Sequence, residues 1–335
     1  AMARASMGKK GREQSVIRAA NQSLKLRASP QGFLYIGISK SFLGNHQGSI
    51  VDFTKVIALD PQRAYSYNAR GVAKTKTGDY QGAIADFNKA IEINPQDSIA
   101  YNNRGTAKND LGDYQGAIAD YSKSIEITPL DAHAYNNRGY SNVLLGDYQG
   151  AIADFDKAIA IDPEYVKPYA NRSLANSKSN NYEGAIRDLT MAIKIAPQFV
   201  TYYLERGNFR RILKDYQGAI IDYNKAIEIN PRHYNAYNNR GITKSDLGDY
   251  QGAIADFNKA IAINPQHSNA YMNRGNVKKR LEDYQGAIAD LNKAIEINPP
   301  DPKSYYNRAI FKSGQGDYQG AIADFTRALE INPHY

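Results

Sequence analysis

Apolar and polar residues follow each other along most of the chain with the period of a helix. In YQGAIADYSKSIEI, residues 114–127, Ala117, Tyr121, Ser124 and Ile125 recur at helical spacing and form one stripe. The preceding stretch, SIAYNNRGTAKNDLG, predicts another helix that ends at Gly112. Asp113 is placed to cap the second helix, and a proline at 129 to end it. Residues 98–131 are therefore predicted to form a pair of helices.

This helix pair is one copy of a repeat. The string DYQGAI begins at residues 79, 113, 147, 215, 249, 283 and 317, with variants at 45 and 181. The chain from 30 to 335 therefore divides into nine units of 34 residues, which begin at 30, 64, 98, 132, 166, 200, 234, 268 and 302. A helix pair this short cannot bury two faces alone, so stacked neighbours must complete the core. The sequence predicts an all-α fold, an α-solenoid.

The repeat resembles the tetratricopeptide repeat (TPR) family. That family has a small residue at position 8 of each unit, Ala at 20, an aromatic at 24, Ala at 27 and Pro at 32. The second unit matches throughout with Gly71, Ala83, Phe87, Ala90 and Pro95, whereas the third has Ser124 at position 27. GDYQGAIADFNKAIEINP is similar to bacterial arrays, especially cyanobacterial ones. The resemblance implies a right-handed superhelix whose concave groove binds an extended segment of another protein.

Two charged positions recur in nearly every unit. Position 7 is Arg in eight units and position 23 is Asp in all nine, whereas the family often has Leu at position 7. Arg at position 7 faces the second helix, where an unpaired buried charge would be costly, so we expect bidentate Arg–Asp pairs. A row of Arg that grips phosphates is the alternative. The expected pairs are Arg70–Asp86, Arg104–Asp120, Arg138–Asp154, Arg172–Asp188, Arg206–Asp222, Arg240–Asp256, Arg274–Asp290 and Arg308–Asp324.

The candidate site is a row of asparagines. In the family, positions 2, 5, 6, 9, 12 and 13 of the first helix face the groove, and an amide can hold a peptide backbone whatever its sequence. The alternative is a solvated groove wall that was copied with the repeat. The candidates are Asn102, Asn103, Asn136, Asn137, Asn171, Asn238, Asn239, Asn273 and Asn307, with Tyr140, Lys167, Arg211 and Lys279 beside them; Ala69 and Glu205 interrupt the row.

The other groove positions are mixed in chemistry. The expected cations also include Lys76, Lys178, Arg280 and Lys303, against Asp110, Glu205 and Asp246, which indicates a mild preference for acidic partners. Apolar residues are expected there in units one and four: Leu34, Tyr35, Phe42, Val143 and Leu144. The carboxylate clamp of chaperone-binding TPR proteins needs Lys at position 5, which no unit has.

The net charge of +8 belongs mainly to the first 29 residues, which carry seven basic side chains against Glu13. The rest of the chain is nearly neutral, with 35 basic and 33 acidic side chains, which disfavours an RNA-binding helical repeat. Residues 14–26 align with the second-helix stretch 81–93, so we expect a capping helix over about 13–28; a disordered basic tail is the alternative. The last unit lacks such a cap, which would allow pairing with another copy.

No catalytic pattern is present. There is no cysteine, and the five histidines (His46, His133, His233, His267 and His334) lie in different units without ligand spacing. No apolar run reaches the ~18 residues of a membrane span, and no signal peptide is apparent. We therefore expect a cytoplasmic, non-enzymatic scaffold without a cofactor or metal. A self-assembling structural array is the second hypothesis and an RNA-binding repeat the third.

Overall fold

The structure, a computed structural model, describes residues 29–334, and all regular secondary structure in that range is helical. Each unit contributes a first helix, the A helix, and a second one, the B helix. The A helices are α1 (Pro30–Phe42), α3 (Ala64–Lys76), α5 (Ser98–Asp110), α7 (Ala132–Leu145), α9 (Val166–Lys178), α11 (Val200–Ile212), α13 (Tyr234–Asp246), α15 (Ser268–Arg280) and α17 (Pro302–Gly314). The B helices are α2 (His46–Leu59), α4 (Tyr80–Ile93), α6 (Tyr114–Ile127), α8 (Tyr148–Ile161), α10 (Tyr182–Ile195), α12 (Tyr216–Ile229), α14 (Tyr250–Ile263), α16 (Tyr284–Ile297) and α18 (Tyr318–Ile331).

The turn between the two helices of a unit is built from two residues. In the third unit, Gly112 adopts a φ of +84°, which an L side chain rarely tolerates. Asp113 follows as the N-cap of α6, and its Oδ1 accepts a hydrogen bond of 2.9 Å from the backbone N–H of Gly116. The predicted cap is confirmed. This GD sequence turns the chain so that the B helix packs back on its own A helix.

The chain divides into two compact units, residues 1–175 and 176–335, and the division falls within α9. Within each, every B helix that is not at the division packs on the A helix before it and the A helix after it. The core is a series of small clusters that pair one aromatic or Leu side chain with alanines. Examples are Phe87 with Ala83 and Ala107 in the first, and Tyr223 with Ala219 and Ala226 in the second.

Glycine at position 8 allows the A and B helices of a repeat to pack closely. A Cβ added to Gly71 would lie 2.6 Å from Cε1 of Phe87, and one added to Gly105 would lie 2.8 Å from Cε1 of Tyr121. The aromatic ring at position 24 therefore occupies the space that a side chain at position 8 would need.

Two expectations fall elsewhere. The capping helix over about 13–28 lies outside the described residues. Within the described part of the chain, none of the helices combines the length and the apolar character that crossing a membrane requires.

Candidate functional site on the A helices

The Arg and Asp side chains at positions 7 and 23 meet in the interface between the A and B helices. In the second repeat, Arg70 Nε lies 2.9 Å from Asp86 Oδ2, and Arg70 Nη2 lies 2.6 Å from Asp86 Oδ1. Such a bidentate arrangement satisfies both oxygens of a buried carboxylate. The same two bonds join Arg104–Asp120, Arg138–Asp154, Arg206–Asp222, Arg240–Asp256, Arg274–Asp290 and Arg308–Asp324.

The fifth expected pair, Arg172–Asp188, joins residues on either side of the division at 175 and stays a prediction. Within the first compact unit, Arg172 Nη1 donates to the carboxylate of Asp156. Within the second, Asp188 Oδ2 accepts a 3.0 Å hydrogen bond from Asn176 Nδ2.

A second cation on each Asp was missed by sequence reasoning. The position-11 side chain lies one helical turn after the Arg and approaches Oδ2 of the same Asp, as Lys74 does at 2.9 Å from Asp86. Further pairs are Lys40–Asp52, Lys108–Asp120, Arg210–Asp222, Lys244–Asp256, Lys278–Asp290 and Lys312–Asp324. The signal was present, because Lys or Arg recurs at position 11 in seven units.

The Arg side chains also connect successive repeats. Arg104 Nη1 donates to Asn88 Oδ1, on the preceding B helix, at 2.7 Å. Its guanidinium lies over the ring of Tyr101, 5.3 Å from the centroid. Each such Arg is thus engaged by a carboxylate, an aromatic ring and a neighbouring repeat, and does not form an open phosphate-binding row.

The asparagine row is held together by hydrogen bonds between repeats. Asn103 Nδ2 donates to Asn68 Oδ1 at 2.9 Å, which joins position 6 of one repeat to position 5 of the repeat before it. Asn137 to Asn102 (3.2 Å), Asn171 to Asn136 (2.9 Å) and Asn273 to Asn238 (3.1 Å) repeat this bond. The 35-residue spacing between these positions was visible in the sequence as the signal for this pairing.

These bonds correct the expectation that both asparagines of a pair are open to a partner. Asn136 and Asn238 are only 4% and 6% exposed. Each accepts from the following repeat and donates to the asparagine next to it in the chain, Asn137 at 3.3 Å and Asn239 at 3.2 Å. A buried amide requires such partners. Position 5 therefore supports the row, and position 6 is the half-buried member.

Two members of the row depart from this pattern because position 5 of the preceding repeat is not Asn. Asn239 follows a repeat with Leu204 there, and it donates instead to Asn208 Oδ1 at 3.0 Å. Tyr223 donates to the same oxygen at 2.8 Å, and burial raises the pKa of Tyr223 to about 12. Asn307 follows Met272 and forms no side-chain hydrogen bond with the residues that the structure describes.

The remaining candidates lie in different environments. Tyr140 and Lys167 are exposed. Arg211 Nη1 lies 3.3 Å from Asp246 Oδ2, so its charge is compensated. Lys279 Nζ lies over the ring of Phe311, 5.0 Å from the centroid. Leu34 and Val143, expected to face the groove, are buried in core clusters instead, because they pack against the B helix of their own repeat.

An apolar pocket of about 310 Å³ opens between the first three A helices. Phe42, Tyr65 and Ile99 line it and are 69%, 52% and 62% exposed. Its polar part consists of Ser41 and the hydrogen-bonded pair Asn68–Asn103. Sequence reasoning had not singled out Tyr65 and Ile99. They occupy position 2, which is polar in units four to nine except for a Lys or His change of charge, so their apolar character was the available signal.

A second cavity, of about 440 Å³, lies between the last two A helices and is polar. Its lining consists of Asn276, Lys279, Arg280, Asn307, Ile310 and Phe311. Elsewhere, residues 29–334 contain no cluster of His, Asp or Glu side chains that could hold a metal ion.

This geometry defines a helical-repeat protein whose helix interfaces carry a repeated ion network and whose A helices carry the variable surface. A family model described as tetratricopeptide repeat matches residues 64–97, 132–165, 234–267, 268–301 and 302–335, just over half of the chain. Further TPR models match residues 87–119, 105–146 and 200–233. The chain belongs to the tetratricopeptide repeat family.

Solved structures share this fold. A tetratricopeptide repeat protein from Parabacteroides merdae ATCC 43184 is 20% identical, with a TM-score of 0.53, over 77% of this chain and 98% of that one. The APC/C hetero-tetramer Cut9–Hcn1 contains a chain that is 13% identical, with a TM-score of 0.51, over 99% and 93%. YrrB, described as a TPR protein with an unusual peptide-binding site, is 26% identical, with a TM-score of 0.49, over 55% and 95%. No curated protein matches.

Proposed function

We propose that this protein is a non-enzymatic scaffold that binds an extended segment of another protein on its A helices. The observation that carries the proposal is the apolar pocket of the first three repeats. Large apolar side chains that are exposed together mark interaction sites, and an apolar pocket with a few polar groups is the usual form of a ligand site. The 310 Å³ volume falls at the lower end of the range for such sites, which is about 300–1,000 Å³.

The polar wall of the pocket fits a peptide backbone. Asn103 uses one N–H for its bond to Asn68. An amide carries two N–H donors and an oxygen with two lone pairs, so one N–H and the oxygen of Asn103 stay available for a backbone carbonyl and N–H. An apolar side chain of the partner would fill the space between Phe42 and Ile99, while its backbone bonds to the amide.

Display of random twelve-residue peptides on immobilised protein tests the proposal. The account expects selected peptides that share an apolar residue. Their affinity, measured by fluorescence anisotropy, should fall at least tenfold in Phe42→Ser and in Ile99→Ser. An apolar side chain that becomes buried contributes about 1.5–3 kcal/mol, and 1.4 kcal/mol is tenfold in affinity.

Leu130→Ser is the matched control. Leu130 is equally apolar and 78% exposed, but it lies in the turn between α6 and α7, outside the pocket. Its affinity for the selected peptides should stay within twofold of the unchanged chain. Equal losses in all three variants, or the absence of any selected peptide, would refute the pocket as a partner site.

Self-association is the second candidate function. Ile322 and Leu329 of α18 are 64% and 52% exposed, and such a face can pair with a second copy. Light scattering across a concentration series tests it. A mass that rises with concentration, and that Leu329→Ser returns to the monomer, would support self-association; a monomer at every concentration would eliminate it.

A further inference from the structure

We infer that the polar cavity of the eighth and ninth repeats binds an acidic segment of a partner through side-chain carboxylates. This inference rests on the proposed function, because it names the chemistry of a partner segment on the same helices. It begins from two cations in that cavity, Lys279 and Arg280, for which residues 29–334 supply no ion-pair partner.

The sixth and seventh repeats show how such a cation is normally compensated. Arg211, at position 12 of its repeat, pairs with Asp246, at position 13 of the next. Lys279 occupies the same position 12 two repeats later, and the residue that corresponds to Asp246 is Gly314. The carboxylate that would neutralise Lys279 is therefore missing from the chain itself, and a partner can supply it.

Arg280 stands in the same situation. It occupies position 13, and position 12 of the preceding repeat is Ser245 rather than an acid. Glu282, the nearest acid along the chain, forms no ion pair with it or with Lys279. The other concave positions of these two repeats add the exposed Lys303 and no carboxylate. Two uncompensated charges beside one cavity attract anions and repel cationic segments.

The rest of the cavity favours a peptide over a nucleic acid. Lys279 is held over the ring of Phe311, and that ring is buried, so it cannot stack on a base. Asn276 and Asn307 add amides, and the amide of Asn307 has no hydrogen bond within the described chain. At about 440 Å³, the cavity has the volume of a ligand site rather than of one carboxylate group.

The test supplies the missing carboxylate from the chain. Gly314→Asp places an acid where Asp246 stands relative to Arg211, and Gly314→Asn is the neutral control of the same shape. A Cβ at Gly314 would meet nothing within 4 Å, so both variants can fold. The probe is a fluorescein-labelled, acetylated and amidated dodecapeptide of alternating Glu and Ala, with a Gln–Ala peptide for comparison.

At ~50 mM salt, the Glu peptide should bind at least tenfold more tightly than the Gln peptide, and the difference should shrink at ~0.5 M salt because exposed charges are screened. Gly314→Asp should weaken binding of the Glu peptide at least fivefold, whereas Gly314→Asn should change it less than twofold. Asp246→Asn, which frees Arg211, should strengthen it. Equal affinities for the Glu and Gln peptides, or equal effects of the two Gly314 variants, would overturn the inference.

Two further arms separate the possible failures. A twelve-residue oligouridine that binds more tightly than the Glu peptide and responds equally to Gly314→Asp would overturn the assignment to a peptide. If the peptides selected on the apolar pocket still bind while the Glu peptide does not, the acidic site is wrong and the proposed function stands. If neither binds, the proposed function has failed as well.

Discussion

The interface between the A and B helices and the outer side of the A helices are made by the same repeats, yet they follow opposite rules. In the interface, the Arg–Asp–Lys network repeats with bond lengths that differ by a few tenths of an ångström. On the A helices, the pocket-forming positions change from apolar in repeats one to three to cationic in repeats eight and nine. Positions that pack one repeat stay constant, whereas positions that face outward are free to differ, and there a partner is recognised.

The largest effect is expected from breaking the constant interface. Asp222 is 1% exposed and accepts hydrogen bonds from both Arg206 and Arg210. Asp222→Ala leaves two guanidinium groups without their carboxylate in a largely buried place, so we expect a loss of about 3 kcal/mol. Hydrogen exchange of the α11 and α12 amides measures it locally.

Asp156→Ala is the control, because Asp156 also pairs with an Arg but is exposed. Its cost should stay below about 1 kcal/mol, as for other surface pairs. Similar costs for both substitutions would mean that the interior network is no more stabilising than a surface ion pair.

A smaller loss is expected where the helices approach most closely. Gly71→Ala puts a methyl group 2.6 Å from Phe87, an overpacking that costs about 1–3 kcal/mol, offset by up to ~1 kcal/mol of helix propensity. Gly314→Ala is the same substitution in open space and should be neutral or stabilising by up to ~1 kcal/mol. Thermal unfolding of the two variants should move the midpoint in opposite directions, and a shared direction would contradict the close-packing argument.

A loss of about 1 kcal/mol or more is expected from the asparagine row. Asn171→Ala removes the donor to Asn136 Oδ1 and leaves a buried acceptor unsatisfied, which costs about 1–3 kcal/mol. Asn307→Ala removes an amide without a hydrogen bond and should stay within about 0.5 kcal/mol of the unchanged chain. Chemical denaturation monitored by circular dichroism separates them; equal effects would show that the inter-repeat bonds contribute no stability.

The smallest effect concerns pH. Burial alone would raise the pKa of Asp324, but hydrogen bonds and charges of Arg308 and Lys312 outweigh it and lower the pKa. The stability that Asp324 contributes is therefore fully present above the ordinary carboxyl pKa of about 3.9 and is lost as the pH falls through the lowered value. The stability difference between the unchanged chain and Asp324→Asn should be constant near neutrality and narrow in acid. A difference that stays constant down to about pH 3 would contradict this.

Some of this was accessible from the sequence and some was not. Helix positions and the cap at Asp113 depend on local chemistry, so periodicity and turn residues were sufficient to predict them. The family pattern also identified Gly71 and Phe87 as packing partners. The burial of Asn136 and the second cation on each Asp depend on how far a side chain reaches across a helix interface. A sequence pattern assigns a residue to a face but does not tell its edge from its centre, which is why position 5 was expected to be open.

The most direct test of the central claim is photo-crosslinking with a selected peptide that carries a benzophenone group, mapped by mass spectrometry. The account predicts cross-links to A-helix residues of the pocket, such as Tyr65 and Ile99, that disappear when unlabelled peptide competes. Competed cross-links confined to exposed apolar residues of a B helix, such as Val51 and Leu59 of α2, would contradict it.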